Sequence, residues 1–171
     1  MTPRLVLAGL APLVALSASP LAAKTYTFRA VLGGTAGPTL TNSPAGGRAT
    51  VRVDTSSRRV SIEADVSGIA PDQLSKAWIA KPIGPVTLND CRGPDDCDAA
   101  IGAPSGASYR ATRGGFQLAA RNLDFAAQVK AMNAPLDFEG LVNGLRAGRI
   151  VVVVHTERFA DGEISGRTRE D

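Results

Sequence analysis

Alternating apolar and polar residues give the clearest structural signal in this chain. Segments 49–54 and 60–67 each place an apolar residue at every second position. Successive side chains of a strand point to opposite faces of a sheet, so this pattern predicts an antiparallel hairpin with one buried face. The polar face of the hairpin carries charged residues of both signs, which we interpret as cross-strand charge pairs. Segment 25–31 alternates well enough to predict a first strand.

The C-terminal region has a different pattern. Residues 150–154 form an unbroken run of isoleucine and valine that ends at His155, the chain's one histidine. Such a run predicts a strand buried on both faces. Asp161-Gly162 lies between two extended segments and is typical of a two-residue type I′ hairpin turn. The sequence therefore predicts a central hairpin with a single imidazole at the end of a buried strand.

The remaining segments are shorter or less regular. They predict a strand from 77–80, a loop from 88–115, a short strand from 115–120, and helical segments at 122–132 and 136–146, the last ending near Gly148. Short strands, turns rich in glycine and proline, and little helix favour an antiparallel arrangement. We expect an all-β fold, an antiparallel Greek-key-like β-sandwich with one or two short helices in a connection.

The first 23 residues have the layout of a secretory signal peptide. Arg4 precedes an apolar core at 5–16, and small residues follow up to Ala23, where we expect cleavage. The apolar run is short for a membrane anchor and prolines interrupt it. We therefore predict a protein exported to the periplasm or secreted, with 24–171 as a single domain and no stable membrane insertion after cleavage.

Net charge adds little to this picture. The formal net charge is +3, and the isoelectric point is about 9.2. Arg58-Arg59 is the one adjacent basic pair, and aromatic residues make up 5% of the chain. Nucleic-acid-binding domains rely on basic stripes and stacking platforms, so this composition argues against a nucleic-acid partner. We expect the partner to be a protein or an extracellular ligand.

Cys91 and Cys97 lie in a loop-like segment rich in aspartate. In an exported protein, two nearby cysteines predict a disulfide bond. A redox-active pair would be typical of Cys-x-x-Cys spacing, and a metal site would need further ligands. The neighbouring aspartates lack the spacing of a calcium loop, so we interpret them as solvated; they are Asp90, Asp95, Asp96 and Asp98.

Four segments resemble the CHRD (chordin-type) domain, a module of chordin and of many exported bacterial proteins. The segments are 28–32, 47–53 with 60–69, 145–156, and 161–166, the last reading Asp-Gly-Glu-Ile-Ser-Gly. The family typically carries a His-Ile-His element, and in this chain Trp78 and Ala80 stand where its two histidines would be. The layout of that element and of the His-Thr element is similar to the metal-binding strands of copper/zinc superoxide dismutases. The resemblance therefore implies a metal role for the family.

In this chain one imidazole cannot complete a copper or zinc site, which needs three or four ligands. His155 and Glu163 are the remaining candidates for metal binding or acid–base chemistry. The alternative is a buried imidazole hydrogen-bonded to a loop carbonyl or to Glu163. Trp78 is either a packing anchor or part of a binding surface. We predict a non-catalytic binding or structural role without a cofactor; the alternative is a metal-dependent redox or metal-binding protein using His155.

Overall fold

The computed structural model describes residues 24–38, 40–81, 83–93, 96–104 and 107–171. The predicted signal peptide, residues 1–23, lies outside the described residues. The described strands are β1 (Thr25–Gly33), β2 (Gly46–Asp54), β3 (Arg59–Ser67), β4 (Val86–Cys91), β5 (Cys97–Ala103), β6 (Ser108–Thr112), β7 (Gly115–Asp124), β8 (Ile150–Val154), β9 (Ile164–Arg167) and β10 (Arg169–Glu170). The α-helices are α1 (Lys76–Ile79), α2 (Phe125–Met132) and α3 (Phe138–Arg146), and a 3-10 turn spans Pro71–Gln73.

All strand pairs are antiparallel and belong to one sheet. The order across the sheet is β5-β4-β8-β9-β1-β2-β3-β7-β6, with β10 added to β1. The sheet curls, so that the Tyr109 hydroxyl on edge strand β6 donates a hydrogen bond to the Ala103 carbonyl of β5, the other edge, at 2.8 Å. Residues from both halves of the sheet share one hydrophobic core. The predicted all-β, antiparallel, sandwich-type fold is confirmed.

The strongest sequence patterns become the centre of this sheet. Strands β2 and β3 pair from Gly46↔Ser67 to Asp54↔Arg59, and their alternating apolar residues are buried, as the predicted hairpin requires. Strand β8 is buried at all five positions. It pairs with β4 on one side and β9 on the other. Both of its faces are covered, because alternate residues join the main core while Val151 and Val153 pack against Cys91 and Cys97.

Two sequence-based assignments are wrong. The segment 88–115, predicted as a loop, supplies most of β4 and all of β5 and β6. Strand β4 is buried at every position although it contains Thr87, Asn89 and Asp90, so its polar residues conceal a central strand. In the segment 77–80, predicted as a strand, residues 77–79 belong to helix α1 instead and Ala80 caps its C-terminal end. The helix begins after Ser75, whose side-chain oxygen accepts a hydrogen bond from the Trp78 backbone N–H at 3.4 Å.

The two predicted helical segments form α2 and α3 between β7 and β8. Each begins at an aspartate whose side chain caps a backbone N–H, Asp124 for α2 and Asp137 for α3. Gly148 follows α3 with a φ of +65°, which suits the glycine expected near its end. The helices are thus specified by their caps as well as by their apolar spacing.

The connection between β8 and β9 also differs from the prediction. The strands pair as expected, with Val154 opposite Ile164, but residues 155–163 connect them and no two-residue turn forms. Gly162 has a φ of +121°, whereas Asp161 does not adopt the positive φ that a type I′ turn requires at both central positions. The extra residues form a longer loop, the 155–163 loop, that returns over His155.

Candidate functional site

His155 is the first residue of the 155–163 loop and is 1% exposed. Its backbone N–H donates to the Pro85 carbonyl at 2.9 Å, and its carbonyl accepts from the Ser75 N–H at 3.0 Å. These bonds fix the residue to the segments before β4 and α1. The imidazole is therefore held inside the fold.

Both ring nitrogens of His155 have protein partners. Nδ1 lies 2.8 Å from the Ala160 carbonyl oxygen, and Nε2 lies 3.0 Å from the Thr87 hydroxyl. A carbonyl only accepts hydrogen bonds, so Nδ1 carries the proton in the neutral ring. Nε2 can then only accept, and the Thr87 hydroxyl is its donor, although the same hydroxyl lies 2.5 Å from Asn89 Oδ1. Because Thr87 has one hydroxyl proton, it donates to one of these two acceptors at a time, and rotation of the Asn89 amide would present its NH₂ group to Thr87 and leave that proton for His155.

Trp78 covers one face of the imidazole. The two ring centroids are 4.0 Å apart and the planes differ by 19°. The indole Nε1 donates to the Ala160 carbonyl at 2.8 Å, so this carbonyl accepts hydrogen bonds from both stacked rings. The Lys81 ammonium lies 3.6 Å from the indole centroid. Since the imidazole occupies one indole face, the ammonium must lie over the other.

The electrostatic environment keeps the imidazole uncharged. Burial lowers the pKa of His155 to about 4, and the Lys81 charge acts in the same direction. The hydrogen bond to Ala160 and the Asp161 carboxylate oppose this shift without cancelling it. With both nitrogens engaged, neither is free to bind a metal or to accept a proton from a substrate unless the network opens. His155, Thr87, Ala160 and Trp78 form one packed network, which we call the brace.

Glu163 contacts hydroxyl groups and forms no hydrogen bond with His155 within the described part of the chain. One carboxylate oxygen accepts from Ser43 at 2.7 Å and the other accepts from Thr156 at 2.7 Å. The Thr41 hydroxyl donates to the Glu163 backbone carbonyl at 2.6 Å. Glu163 therefore joins the β1–β2 loop to the 155–163 loop. These residues line a cleft of about 560 Å³.

The disulfide bond between Cys91 and Cys97 joins paired residues of β4 and β5, as predicted. Arg92 forms ion pairs with the two aspartates that flank Cys97 in sequence, Asp96 at 2.7 Å and Asp98 at 2.6 Å. These acidic residues are consequently neutralised by arginine. Among the described residues, no group of three or more histidine, cysteine, aspartate or glutamate side chains is placed to hold a metal ion.

Comparison with protein-family models gives a match to the CHRD domain over residues 28–168. The chain belongs to the CHRD domain family. The match includes every strand from β2 to β9, and so the braced histidine lies within the CHRD domain itself. No curated protein and no solved structure matches the chain significantly. No helix in the described ranges is long and apolar enough to span a membrane.

The sequence pointed to three residues that the structure places on or near the 155–163 loop. Trp78 and His155 are in direct contact, while Glu163 anchors the end of the same loop. Sequence reasoning missed Thr87 and Ala160, which complete the histidine network. Thr87 is fully buried within β4, a segment whose polar residues made it resemble a loop. Ala160 contributes only its backbone carbonyl, for which a sequence carries no signal.

Proposed function

We propose that this chain is an exported CHRD domain protein with a non-catalytic binding or structural role, in which a metal site of the family type has been replaced by a packed brace. The observation that carries this proposal is the complete engagement of the His155 ring. Thr87 and Ala160 satisfy its two nitrogens, and Trp78 stacks on its face. A general base or a metal ligand needs a free lone pair, which this network does not offer.

The position of Trp78 supports the replacement. The family resemblance aligns Trp78 with a histidine of the His-Ile-His element, and the Trp78 ring lies 4.0 Å from that of His155. A histidine at this position would bring a second imidazole close to the first. An indole cannot ligate a metal through a lone pair, because its nitrogen is a donor only. A histidine at position 78 could add a metal ligand, whereas Trp78 adds a hydrogen-bond donor to the Ala160 carbonyl.

The disulfide bond supports export, because such bonds persist in oxidising compartments. The predicted signal segment, 1–23, supports it independently. We expect the full chain to accumulate in the exported fraction with Cys91 and Cys97 unreactive toward thiol reagents. A chain lacking residues 1–23 serves as the matched control and should stay in the cytoplasm.

Metal content measured by mass spectrometry on untagged protein from the exported fraction tests the replacement of the metal site. We expect less than stoichiometric transition metal in the wild-type protein and in a His155→Gln variant alike. A stoichiometric metal that is lost in His155→Gln would overturn the proposal. That outcome would establish the alternative, a metal-binding protein using His155, and a redox assay would follow.

A further inference from the structure

A second cleft, of about 450 Å³, lies between helix α3 and the turn that joins β2 to β3. Its main lining residues are Tyr26, Arg58, Phe138, Glu139, Asn143 and Arg146. Glu139, Asn143 and Arg146 are spaced by four and three residues, so they lie on one face of the helix. None of these side chains takes part in the His155 network. The cleft is therefore a separate feature of the domain.

Aromatic rings hold the cations of this cleft in place. The Arg146 guanidinium carbon lies 4.3 Å from the centroid of the Tyr26 ring, and the Arg58 guanidinium carbon lies 5.7 Å from that of Phe138. The Lys24 ammonium lies 4.6 Å from the Tyr26 ring. A guanidinium that stacks through its face keeps its N–H edge available for hydrogen bonds. Both guanidinium groups thus lie against aromatic rings that line the cleft.

Positive charge in the cleft is only partly compensated. Arg58 forms no ion pair within the described part of the chain, and Arg146 has one carboxylate nearby, Glu170, at 3.7 Å. Glu139 supplies the single carboxylate among the described lining residues. Burial raises the pKa of the Tyr26 phenol, but hydrogen bonding and charge from Lys24 and Arg146 outweigh it, and the pKa of Tyr26 falls below its usual value. Lys24 and Arg146 therefore favour the ionised form of this phenol.

We propose that this cleft binds a small organic anion, with the phosphate or carboxylate group of the ligand held by Arg58 and Arg146. Guanidinium groups bind both kinds of oxyanion through paired, charge-assisted hydrogen bonds. The Asn143 amide offers a further donor and acceptor for the remainder of the ligand. The volume is within the range of small-molecule sites. This inference rests on the binding role proposed above and names the class of its ligand.

Calorimetric titration of the full chain tests the site with three probes: glycerol phosphate, succinate and uncharged glycerol. Binding of glycerol phosphate alone identifies a phosphate ligand, and binding of succinate alone identifies a carboxylate. We expect Arg146→Gln and Arg58→Asn each to weaken anion binding at least about tenfold, since each removes a charged hydrogen-bond partner. Asparagine at position 58 tolerates the left-handed backbone found there, φ +52°.

The matched control is Arg121→Gln, which removes an exposed arginine that is paired with Glu63 outside the cleft. It should leave the dissociation constant unchanged within about twofold. If neither anion binds to folded wild-type protein, or if glycerol binds as tightly as the anions, the proposal fails. An equal loss of binding in Arg121→Gln would also overturn it, because the attraction would then reflect net charge.

The ionisation of Tyr26 provides a local readout. The chain has two tyrosines, and burial raises the pKa of Tyr109, so Tyr26 ionises first. A bound anion should raise the pKa of Tyr26, measured by tyrosinate absorbance, in wild-type protein but not in Arg146→Gln. A retained high pKa of Tyr109 shows that the variant is folded. An anion that binds without moving the pKa of Tyr26 must occupy another place, which would refute this cleft. Metal content and export are measured independently, so their failure is distinguishable from this one.

Discussion

Acidification between about pH 7 and pH 5 should destabilise this protein through His155. The pKa of His155 falls from 6.5 to about 4 in the folded state, so the unfolded chain binds a proton that the folded chain excludes. Stability conferred by the neutral ring is complete above pH 6.5 and is lost as the pH falls toward 4. The full difference corresponds to about 3 kcal/mol of unfolding free energy, and about 2 kcal/mol of it is lost by pH 5.

The chain contains a single histidine, which makes this window selective. The folded-state pKa values of Glu63, Asp54 and Asp96 are all lowered, so their contributions to stability are lost mainly below pH 4.5. Urea unfolding followed by Trp78 fluorescence, at pH 7.5, 6.5, 5.5 and 5, measures the effect. A constant slope with urea concentration would show that the folded and unfolded states keep their compactness.

The matched variant is His155→Gln, whose side-chain amide can still donate and accept hydrogen bonds but cannot titrate. We expect it to be less stable than wild type at pH 7.5 and to lose almost no further stability down to pH 5. Wild-type stability that stays flat across this window would refute the buried, neutral histidine. A decline of equal size in His155→Gln would place the titration on another group.

Three further predictions concern the 155–163 loop, the disulfide bond and the Trp78 contacts. Glu163→Gln removes the charge that accepts two hydroxyl hydrogen bonds and should lower the free energy of unfolding in urea by about 1–2 kcal/mol. The exposed control Glu170→Gln should lower it by less than about 0.5 kcal/mol. Equal losses in the two variants would exclude a specific role for Glu163. Replacing both Cys91 and Cys97 by serine should lower the unfolding free energy by about 2 kcal/mol because a short loop is no longer closed. A reductant should cause the same loss of stability in the wild-type protein. Wild-type stability that is unchanged under full reduction would contradict the prediction. Trp78→Phe keeps a stacking ring but removes the donor to the Ala160 carbonyl, so it should lower the unfolding free energy, measured by thermal or urea unfolding, by about 1 kcal/mol. Trp78→Ala also removes the ring and should lower it further. Identical losses in the two variants would mean that stacking contributes nothing.

Much of the sheet could be predicted because its strands obey simple periodicities. The β2–β3 hairpin alternates along its whole length, and β8 is an unbroken run of β-branched residues. A strand with one buried face alternates apolar and polar residues, and a strand with two buried faces is apolar throughout. The local sequence therefore indicates how each of these strands is buried. The helices α2 and α3 were equally accessible because their apolar spacing matches a helical period.

The strands between 86 and 112 could not be read in this way, for a physical reason. Strand β4 contains three buried polar residues, and two of them have side-chain partners from another part of the chain. Asp90 binds Arg149 of the segment before β8 at 2.5 Å, and Thr87 binds His155, which directly follows β8. Tertiary contacts therefore remove the cost of burying these groups, and no local pattern reports such contacts.

At the candidate site, too, the local sequence identified residues but not the contacts between them. His155 was identifiable as the sole imidazole at a strand end, and Trp78 as the sole tryptophan. Their stacking depends on α1, which sequence periodicity assigned to a strand, and on a nine-residue loop where a two-residue turn was expected. Because α1 turns the indole onto the imidazole and the loop supplies the Ala160 carbonyl to both rings, the backbone geometry decides their chemistry. His155 is consequently buried, with Thr87 and Ala160 as its hydrogen-bond partners and Trp78 stacked on its face, an environment that the residue types alone do not reveal.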